Sequence, residues 1–536
     1  MLKQDPERAK PPAWWERGTI YQIYPRSFQD SDGDGVGDLK GIQQRLGYVE
    51  SLGVDAIWLS PIFPSPMADF GYDVADYCDI DPLFGDLAEF DALLADCHSR
   101  GLKVLLDFVP NHTSDQHPWF LESRRSKDSP KRDWYIWRDP APDGGPPNNW
   151  TSDMGGSSWE LDPATNQYYL HAFLKEQPDL NWRNPAVSDA MHDVLRFWLN
   201  RGVDGFRIDV LWHCYKSRDF TDNPLNPHFN PTMGEKLKVL QQYSANQPDI
   251  HGLAASFRKL ADTFGDRLLV GEICLPVPQL VEYYGSADAP GVHLPFNFQL
   301  LDAPWDPEIL TRLIQDYEAA LPDGGWPNWV LGSHDAARIA GRLGEDQARV
   351  AAMLLLTLRG TPTLYQGDEL GIGWVDIPPE RVRDPQDLRQ PGLGLGRDHA
   401  RTPFAWDATE NAGFSRSEPW LPLHKDWQTR NVAVERDDPR SMLNLYRGLL
   451  ALRRSRDALS IGDFMSLPSQ GSVLLYERHH DGERLLVMLN LSGNASRVEL
   501  PPDCTVREVL ASTIPARPYD GSLYANEGLI LVLEDF

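Results

Sequence analysis

The residues describe an α/β protein: a (β/α)8 TIM barrel carrying a small domain inserted after its third strand, followed by a C-terminal antiparallel β-sandwich. Short apolar runs rich in β-branched and aromatic residues alternate with stretches of helical periodicity from Thr19 to Tyr365. Such alternation implies a parallel sheet, and eight runs suggest a closed barrel more than an open sheet. Beyond about Asp457 the pattern changes to period two, which fits antiparallel strands packed on one face.

The expected barrel strands are "TIYQIYP" near Thr19, "DAIWLSP" near Asp55, "KVLLDFVPNH" near Lys103 and "DGFRIDV" near Asp204. They continue with "RLLVGEI" near Arg267, "VHLPFNF", "WVLGSHD" and "PTLYQGDE". Between them, "LAEFDALLADCHSRG" places Phe90, Leu93, Leu94 and Cys97 at helical spacing and stops at Gly101. "MHDVLRFWLNRG" does the same and stops at Gly202. "DDPRSMLNLYRGLLALRRS" reads as an amphipathic barrel helix with a solvated basic face. Two segments break the rhythm. One, rich in Trp, Pro, Asn and Gly ("APDGGPPNNW"), follows strand 3, and a connection of that length is usually a lid or a small domain. Its tryptophans are expected mostly in that domain's own core. The expected division is therefore barrel 1–110, inserted domain 111–177, barrel 178–456 with an irregular insertion at about 371–431, and sandwich 457–536.

The chain has 536 residues, 41% of them hydrophobic and 10% aromatic, enough for a large folded core. Its formal net charge of −27 disfavours nucleic acid and anionic membrane and suits a neutral small-molecule substrate. The five cysteines, at 78, 97, 214, 274 and 504, form no Cys-x-x-Cys pair, so free buried thiols in a reducing compartment are expected. "MLKQDPERAKPPAWW" has no apolar core of signal-peptide length, and no run is long enough to span a membrane. The expectation is a cytoplasmic protein with no membrane partner and an oligomeric state the sequence leaves open.

On a (β/α)8 barrel, polar residues at strand C-terminal ends converge on one pocket. Here they are Asn111 and His112 after strand 3, Arg207 and Asp209 after strand 4, Glu272 after strand 5, and His334 and Asp335 after strand 7. Arg207 and Asp209 are two apart in a strand, so both face the same side. Three carboxylates, one arginine and two histidines suit acid/base and nucleophilic chemistry. Cleavage of a glycosidic bond needs such a set: an acid for the leaving oxygen, a carboxylate nucleophile, and a cation that keeps the nucleophile ionised. Asp107 is read as an inward partner of the set, and Asp73 and Asp76 as solvated or capping carboxylates.

"DFVPNH", "GFRID", "GEI" and "SHD", in this order on these strands, resemble glycoside hydrolase family 13, the α-amylase family. With "IYQIYPRSFQDSDGDGVGDL", "QPDLNW" and "RTPFAW" the chain is similar to its α-glucosidase and oligo-1,6-glucosidase branch over nearly its whole length. The resemblance implies Asp209 as nucleophile, Glu272 as general acid/base and Asp335 as the carboxylate that stabilises the transition state. His112, Arg207 and His334 would line the same subsite. It also implies that Asp69 pairs with Arg401 around the non-reducing end of a single glucose. Tyr72 would stack on the sugar, and Phe173 would wall the entrance. One departure stands out: the family's Asn-His-Asp is Ser333-His334-Asp335 here, a shorter arm that could hold His334 differently. Valine after the nucleophile, Val210, tends to accompany α-1,6 preference, but linkage is not settled by it.

"DSDGDGVGDL" offers Asp30, Asp32, Asp34, the Val36 carbonyl and Asp38 as oxygen donors at alternating positions. The bidentate glutamate of an EF-hand is missing, Gly41 standing in its place. The resembling branch carries a structural Ca²⁺, sometimes Mg²⁺, in this loop. The expected function is a retaining exo-α-glucosidase that acts on short α-glucosides and transfers glucose to hydroxyl acceptors as well as to water. The runner-up is an isomerising or transferring relative of the trehalose synthase, isomaltulose synthase or sucrose hydrolase type. A non-catalytic accessory subunit is a remote third reading.

Overall fold

The computed structural model describes residues 11–535 apart from 503 and 516, so most of the N-terminal stretch searched for a signal core lies outside it. All eight expected strands form. In chain order they are Ile20–Ile23, Ala56–Leu59, Lys103–Phe108, Gly205–Ile208, Leu268–Glu272, Leu294–Phe296, Asn328–Val330 and Thr361–Tyr365. They pair in parallel in the order 7-8-1-2-3-4-5-6. The remaining seam, between strands 6 and 7, is closed by a single parallel bridge from Asn297 to Trp329. Nearly every strand position is buried, because helices cover the outside and side chains fill the inside.

The helices follow their sequence signals. Leu87–Ser99 starts where the Asp86 carboxylate accepts from the amides of Ala88 and Glu89, and it buries the four expected residues. Pro185–Arg201 is capped by Asn184 and ends at Gly202, whose φ of 107° only glycine adopts without strain. Helix Met442–Ser455 departs from its expected basic face. Arg453 is buried and donates to the carbonyls of Leu356, Leu358 and Leu459, so one of its cations serves as a tie between backbone segments.

The segment after strand 3 folds into a three-stranded antiparallel sheet, Trp137–Arg138, Gln167–Leu170 and Trp159–Asp162, with Gln167–Leu170 in the middle. Trp137, Trp150 and Trp159 are buried in it, as core. The C-terminal strands Asp463–Ser466, Val473–His480, Glu483–Asn490, Gly528–Asp535 and Cys504–Ser512 pair in that order into one antiparallel sheet. One face, with Leu474, Tyr476, Val487, Leu489 and Ile530, joins the main core beside barrel helix Glu345–Thr357. Among the described residues the other face is covered by a two-stranded piece, Ser496–Arg497 with Ser522–Leu523, and by flanking side chains such as Leu467, Leu500 and Tyr519, so the second layer of the expected sandwich is small.

Cys78, Cys97, Cys214 and Cys274 are free thiols. Two depart from the expected burial: Cys78 is half-buried and Cys274 is exposed. Among the described residues no helix is long and apolar enough to cross a membrane.

Candidate active site

The site begins with one guanidinium. Asp107 and Arg207 are register partners on strands 3 and 4. Arg207 Nη1 donates to Asp107 Oδ1 at 2.8 Å and to Asp209 Oδ1 at 2.6 Å, while Nη2 lies 2.7 Å from Glu272 Oε2. Asp209 and Glu272 therefore meet the two tips of one planar fork, which holds the two carboxylates near each other. Trp58 Nε1 and Tyr72 Oη each donate to Asp107 Oδ2 at 3.1 Å, which favours the ionised form of Asp107.

Three carboxylates surround that single cation. Burial raises the pKa of both Asp209 and Glu272; Arg207 opposes the rise in each case, and Glu272 adds to it for Asp209. Burial raises the pKa of Asp107 too, against Arg207, Trp58 and Tyr72, so three buried carboxyls around one cation are best balanced when they share protons among them. One ionised and one protonated carboxyl is the state from which a nucleophile and an acid can act together.

Glu272 Oε2 also accepts from the Val210 amide at 2.8 Å. To aim that N–H, Val210 adopts φ 35° and ψ 44°, a left-handed conformation that is an outlier for a β-branched residue. In this rest position Arg207 and the amide both favour ionised Glu272. To protonate a leaving group, the side chain must release them.

Asp335 faces these groups from strand 7, and its side chain is 38% exposed. Arg401 Nη2 binds its Oδ1 at 2.7 Å, Arg397 Nη1 lies 3.3 Å from the same oxygen, and His334 Nε2 lies 3.2 Å from Oδ2. Burial would raise its pKa, but His334, Arg397, Arg401 and Arg207 together hold it well below the usual carboxylate range. His334 is buried with its Nδ1 2.7 Å from Gln22 Nε2 and its Nε2 2.6 Å from Tyr72 Oη. The Tyr72 and His334 rings stack almost in parallel. The Ser333 hydroxyl accepts from the Asp335 amide at 3.2 Å, so Gln22 and Tyr72 rather than residue 333 hold the imidazole. Burial pushes His334 to about 3 and His112 to about 4, so both are neutral at pH 7.

The expected Asp69–Arg401 pair is corrected. The guanidinium that reaches Asp69 belongs to Arg397, at 2.8 Å. Arg401 is fully buried and turns instead to Asp335 and to the His334 carbonyl. Two facts account for this: Arg401 sits deeper, and Arg397 is aimed by Asp384. Asp384 Oδ2 accepts from the Arg397 backbone at 2.5 Å and from its Nε at 3.0 Å, and Oδ1 accepts from Nη2 at 2.8 Å. Asp73 shapes the Asp69 turn by accepting from the amides of Ala68 and Asp69, the capping role expected of it.

His112 and Phe173 complete the wall. His112 Nε2 lies 3.1 Å from the Tyr72 carbonyl and 3.1 Å from Gln177 Nε2. The Phe173 ring lies 5.2 Å from His112 and 5.4 Å from His213, centroid to centroid. The sequence reading missed Arg397, Asp384, Gln177 and Gln22. The signal for the first was four residues before Arg401 in "RDHARTP"; Gln22 and Gln177 lie inside "TIYQIYP" and "QPDLNW", whose glutamines have no role in the sequence reading, and Asp384 carries no motif.

In the acidic loop, carboxylate oxygens of Asp30, Asp32 and Asp38 lie within 4.8 Å of one another. Asp30 accepts from the amides of Asp32, Gly33 and Gly35 and from the Ser415 hydroxyl, and Asp38 caps helix Leu39–Leu52 through Gly41. Burial, and then Asp32, Asp30 and Asp38, raise the pKa of Asp34. Asp34, expected among the donors, is not one of the three that converge; the all-oxygen set of Asp30, Asp32 and Asp38 fits a hard divalent cation. None of these carboxylates bonds to the Arg207 cluster.

Comparison with known proteins agrees with this geometry. The family described as "Alpha amylase, catalytic domain" matches residues 22–462. A probable alpha-glucosidase of Rhizobium meliloti (strain 1021) is 43% identical over 505 residues, covering 91% of this chain and 91% of that protein. An oligo-1,6-glucosidase of Heyndrickxia coagulans is 38% identical, covering 96% of this chain and 99% of that protein. Among solved structures, the alpha-glucosyl transfer enzyme XgtA superposes with a TM-score of 0.92 at 39% identity, over 97% of this chain and all of that one. The isomaltulose synthase SmuA from Protaminobacter rubrum does so with a TM-score of 0.90 at 32% identity, over 98% of this chain and 100% of that one. With its barrel, its strand-end carboxylates and a match spanning most of its length, the chain belongs to the α-amylase family of glycoside hydrolases.

Proposed function

We propose that the protein is a retaining, exo-acting α-glucosidase that releases glucose from the non-reducing end of short α-glucosides. The observation that carries this reading is the sharing of Arg207 by Asp209 and Glu272. Glu272 donates its proton to the glycosidic oxygen as Asp209 attacks the anomeric carbon, and a covalent glycosyl ester forms on Asp209. Glu272, now ionised, takes a proton from the incoming water, which displaces Asp209 and restores both residues. A hydroxyl acceptor in place of water gives transglucosylation by the same steps. Asp335, with Tyr72, His112 and His334 around it, steadies the charge that develops on the ring. The Asp69–Arg397 pair closes the pocket behind one sugar, Arg401 fixes Asp335, and Phe173 walls the acceptor side.

In the acidic loop, Asp30, Asp32 and Asp38 would hold Ca²⁺, or Mg²⁺, as a structural ion, with Asp34 and the Val36 carbonyl beside them. We take the protein to act in the cytoplasm on small neutral substrates, with units at 1–110, 111–177, 178–456 and 457–536. A second reading, an isomerising or transferring enzyme, is favoured by the likeness to an alpha-glucosyl transfer enzyme and an isomaltulose synthase. It differs at the acceptor side alone, so the products formed from maltose, isomaltose and sucrose separate the two. Asp209→Asn tests the mechanism. Hydrolysis of an aryl α-glucoside should fall by roughly 10⁴-fold or more, and an unchanged rate would end the proposal.

A further inference from the structure

A cleft of about 620 Å³ lies between the inserted sheet and the barrel, bounded by residues 132–138, 181–183 and 214–220. In a chain of net charge −27, its wall carries Lys127, Arg132, Arg138, Arg183, Lys216 and Arg218 against one acid, Asp133. Three of these cations are already matched: Lys127 by Asp139, Arg183 by Asp249 and Lys216 by Asp179. Arg132, Arg138 and Arg218 have no ion-pair partner among the described residues. Asp133 is engaged by the side-chain amides of Asn181 and Asn184.

Two of the unmatched guanidiniums are held in place. Arg132 lies 3.5 Å over the Trp137 ring and Arg138 lies 3.9 Å over the Phe220 ring. Arg132 is also fixed by its bonds to the Ser123 carbonyl, Thr165 and Gln167, while its Nε is buried without a partner. Burial pushes the pKa of both arginines down, which measures how poorly the cleft tolerates their charge uncompensated. Asp162 and Asp139 act on Arg132 and Asp133 on Arg138 from beyond ion-pair distance; charge held still, half out of water and met by no acid at close range is the complement of an anion with several acceptor oxygens.

We propose that this cleft binds the phosphoryl group of a small molecule, through Arg132, Arg138 and Arg218, at a site separate from the catalytic one. The proposal does not rest on the glucosidase reading, because none of these three residues touches the Arg207 cluster. Two sources share the chemistry, free phosphate and a phosphorylated sugar.

The full-length protein is titrated by calorimetry at constant ionic strength with orthophosphate, glucose 6-phosphate and, as control, chloride, while the fluorescence of Trp137 and its neighbours is followed. Saturable one-to-one binding of either phosphate, absent with chloride, is expected. The tighter of the two names the source. Arg138→Gln with Arg218→Gln, both at exposed positions, should weaken binding by about tenfold or more. The double lysine variant should keep most of it, and aryl α-glucoside hydrolysis should stay at the parent level in both. A response no different from that of chloride would overturn the site, and so would a glutamine variant that binds as tightly as the parent.

Discussion

Replacing Asp384 by asparagine should loosen substrate binding without slowing bond cleavage much. Asp384 is buried and spends both oxygens on Arg397: its Oδ2 takes the backbone amide and Nε, and its Oδ1 takes Nη2 at 2.8 Å. Burial opposes the charge, but Arg397 outweighs it and pulls the carboxyl down to about 2, so Asp384 is ionised throughout the working range. Asparagine keeps the shape and, with its one oxygen, the cap on the Gln386 amide and the bond to Nη2, but it turns an NH2 toward the Arg397 amide and Nε and loses both of those bonds. The bond that remains changes from a charge-assisted one of about 1.5–3 kcal/mol to a neutral one of about 0.5–1.5 kcal/mol. That difference alone, about 1–1.5 kcal/mol, sets a floor of about a 5- to 10-fold change in an equilibrium. On the proposed reading Arg397 and Asp69 sit behind the sugar, and Arg401 and His334 still hold Asp335 when Arg397 shifts, so the loss is chiefly one of uniform binding and falls on KM. Steady-state kinetics with an aryl α-glucoside and with maltose should show KM raised by at least that factor and kcat changed less than about threefold. Asp384→Glu should recover part of the loss. A KM within experimental error of the parent, or a fall in kcat alone, would refute the argument that Asp384 aims Arg397.

Chelation should lower the melting temperature. A cation held at about 100 times its Kd stabilises by about 2.7 kcal/mol, and Asp30→Asn should make the protein insensitive to both chelator and added Ca²⁺; elemental analysis reads the ion directly. The pH dependence of stability sets three carboxyls against a larger group of histidines. Burial raises the carboxyls, Asp73 to about 6 and Asp368 and Glu435 to about 7. Each binds its proton more tightly folded than unfolded, so its own contribution falls as pH rises from about 4 to 7. The buried histidines act oppositely: His112, His171, His213, His399 and His424 are held at about 4 and His117 and His334 at about 3, so their contribution grows as pH rises from about 4 to 6.5. The histidines are the larger group, so denaturant midpoints should be lower at pH 5 than at pH 8, and Asp368→Asn, which removes an opposing contribution, should steepen the rise. Val210→Gly should relieve about 1 kcal/mol or more of backbone strain and shift the basic limb of the kcat pH profile upward, because the amide that favours ionised Glu272 is no longer pinned against it. A profile equal to the parent's would show that the strained amide does nothing for the acid.

Much of this was legible because it is local. Strand runs, cap residues such as Asp86 and Asn184, and the polar residues just past each strand end are written within a few positions of one another. The barrel then brings Asp209, Glu272 and Asp335 together by topology alone. What escaped the reading depends on how loops meet in space. Whether Arg397 or Arg401 answers Asp69 is decided by Asp384, more than a dozen residues upstream in an irregular segment with no period to read. The burial of Arg453, the exposure of Cys274 and the hold of Gln22 on His334 likewise hang on neighbours hundreds of residues away or across a packed interface. The strain at Val210 leaves no mark in composition at all.

The lone bridge between Asn297 and Trp329 makes the barrel a hoop with one thin stave joint. Glu272 stands on one side of that joint and Asp335 on the other, each carried by a strand within two of it. Small outward breathing there would shift Asp335 relative to Glu272 and the Arg207 fork, which sit together on the neighbouring strands 5 and 4. Amide exchange should then be fastest at this joint, and side chains packed behind it, though remote from any sugar, become sites where turnover could be tuned without touching a reacting group.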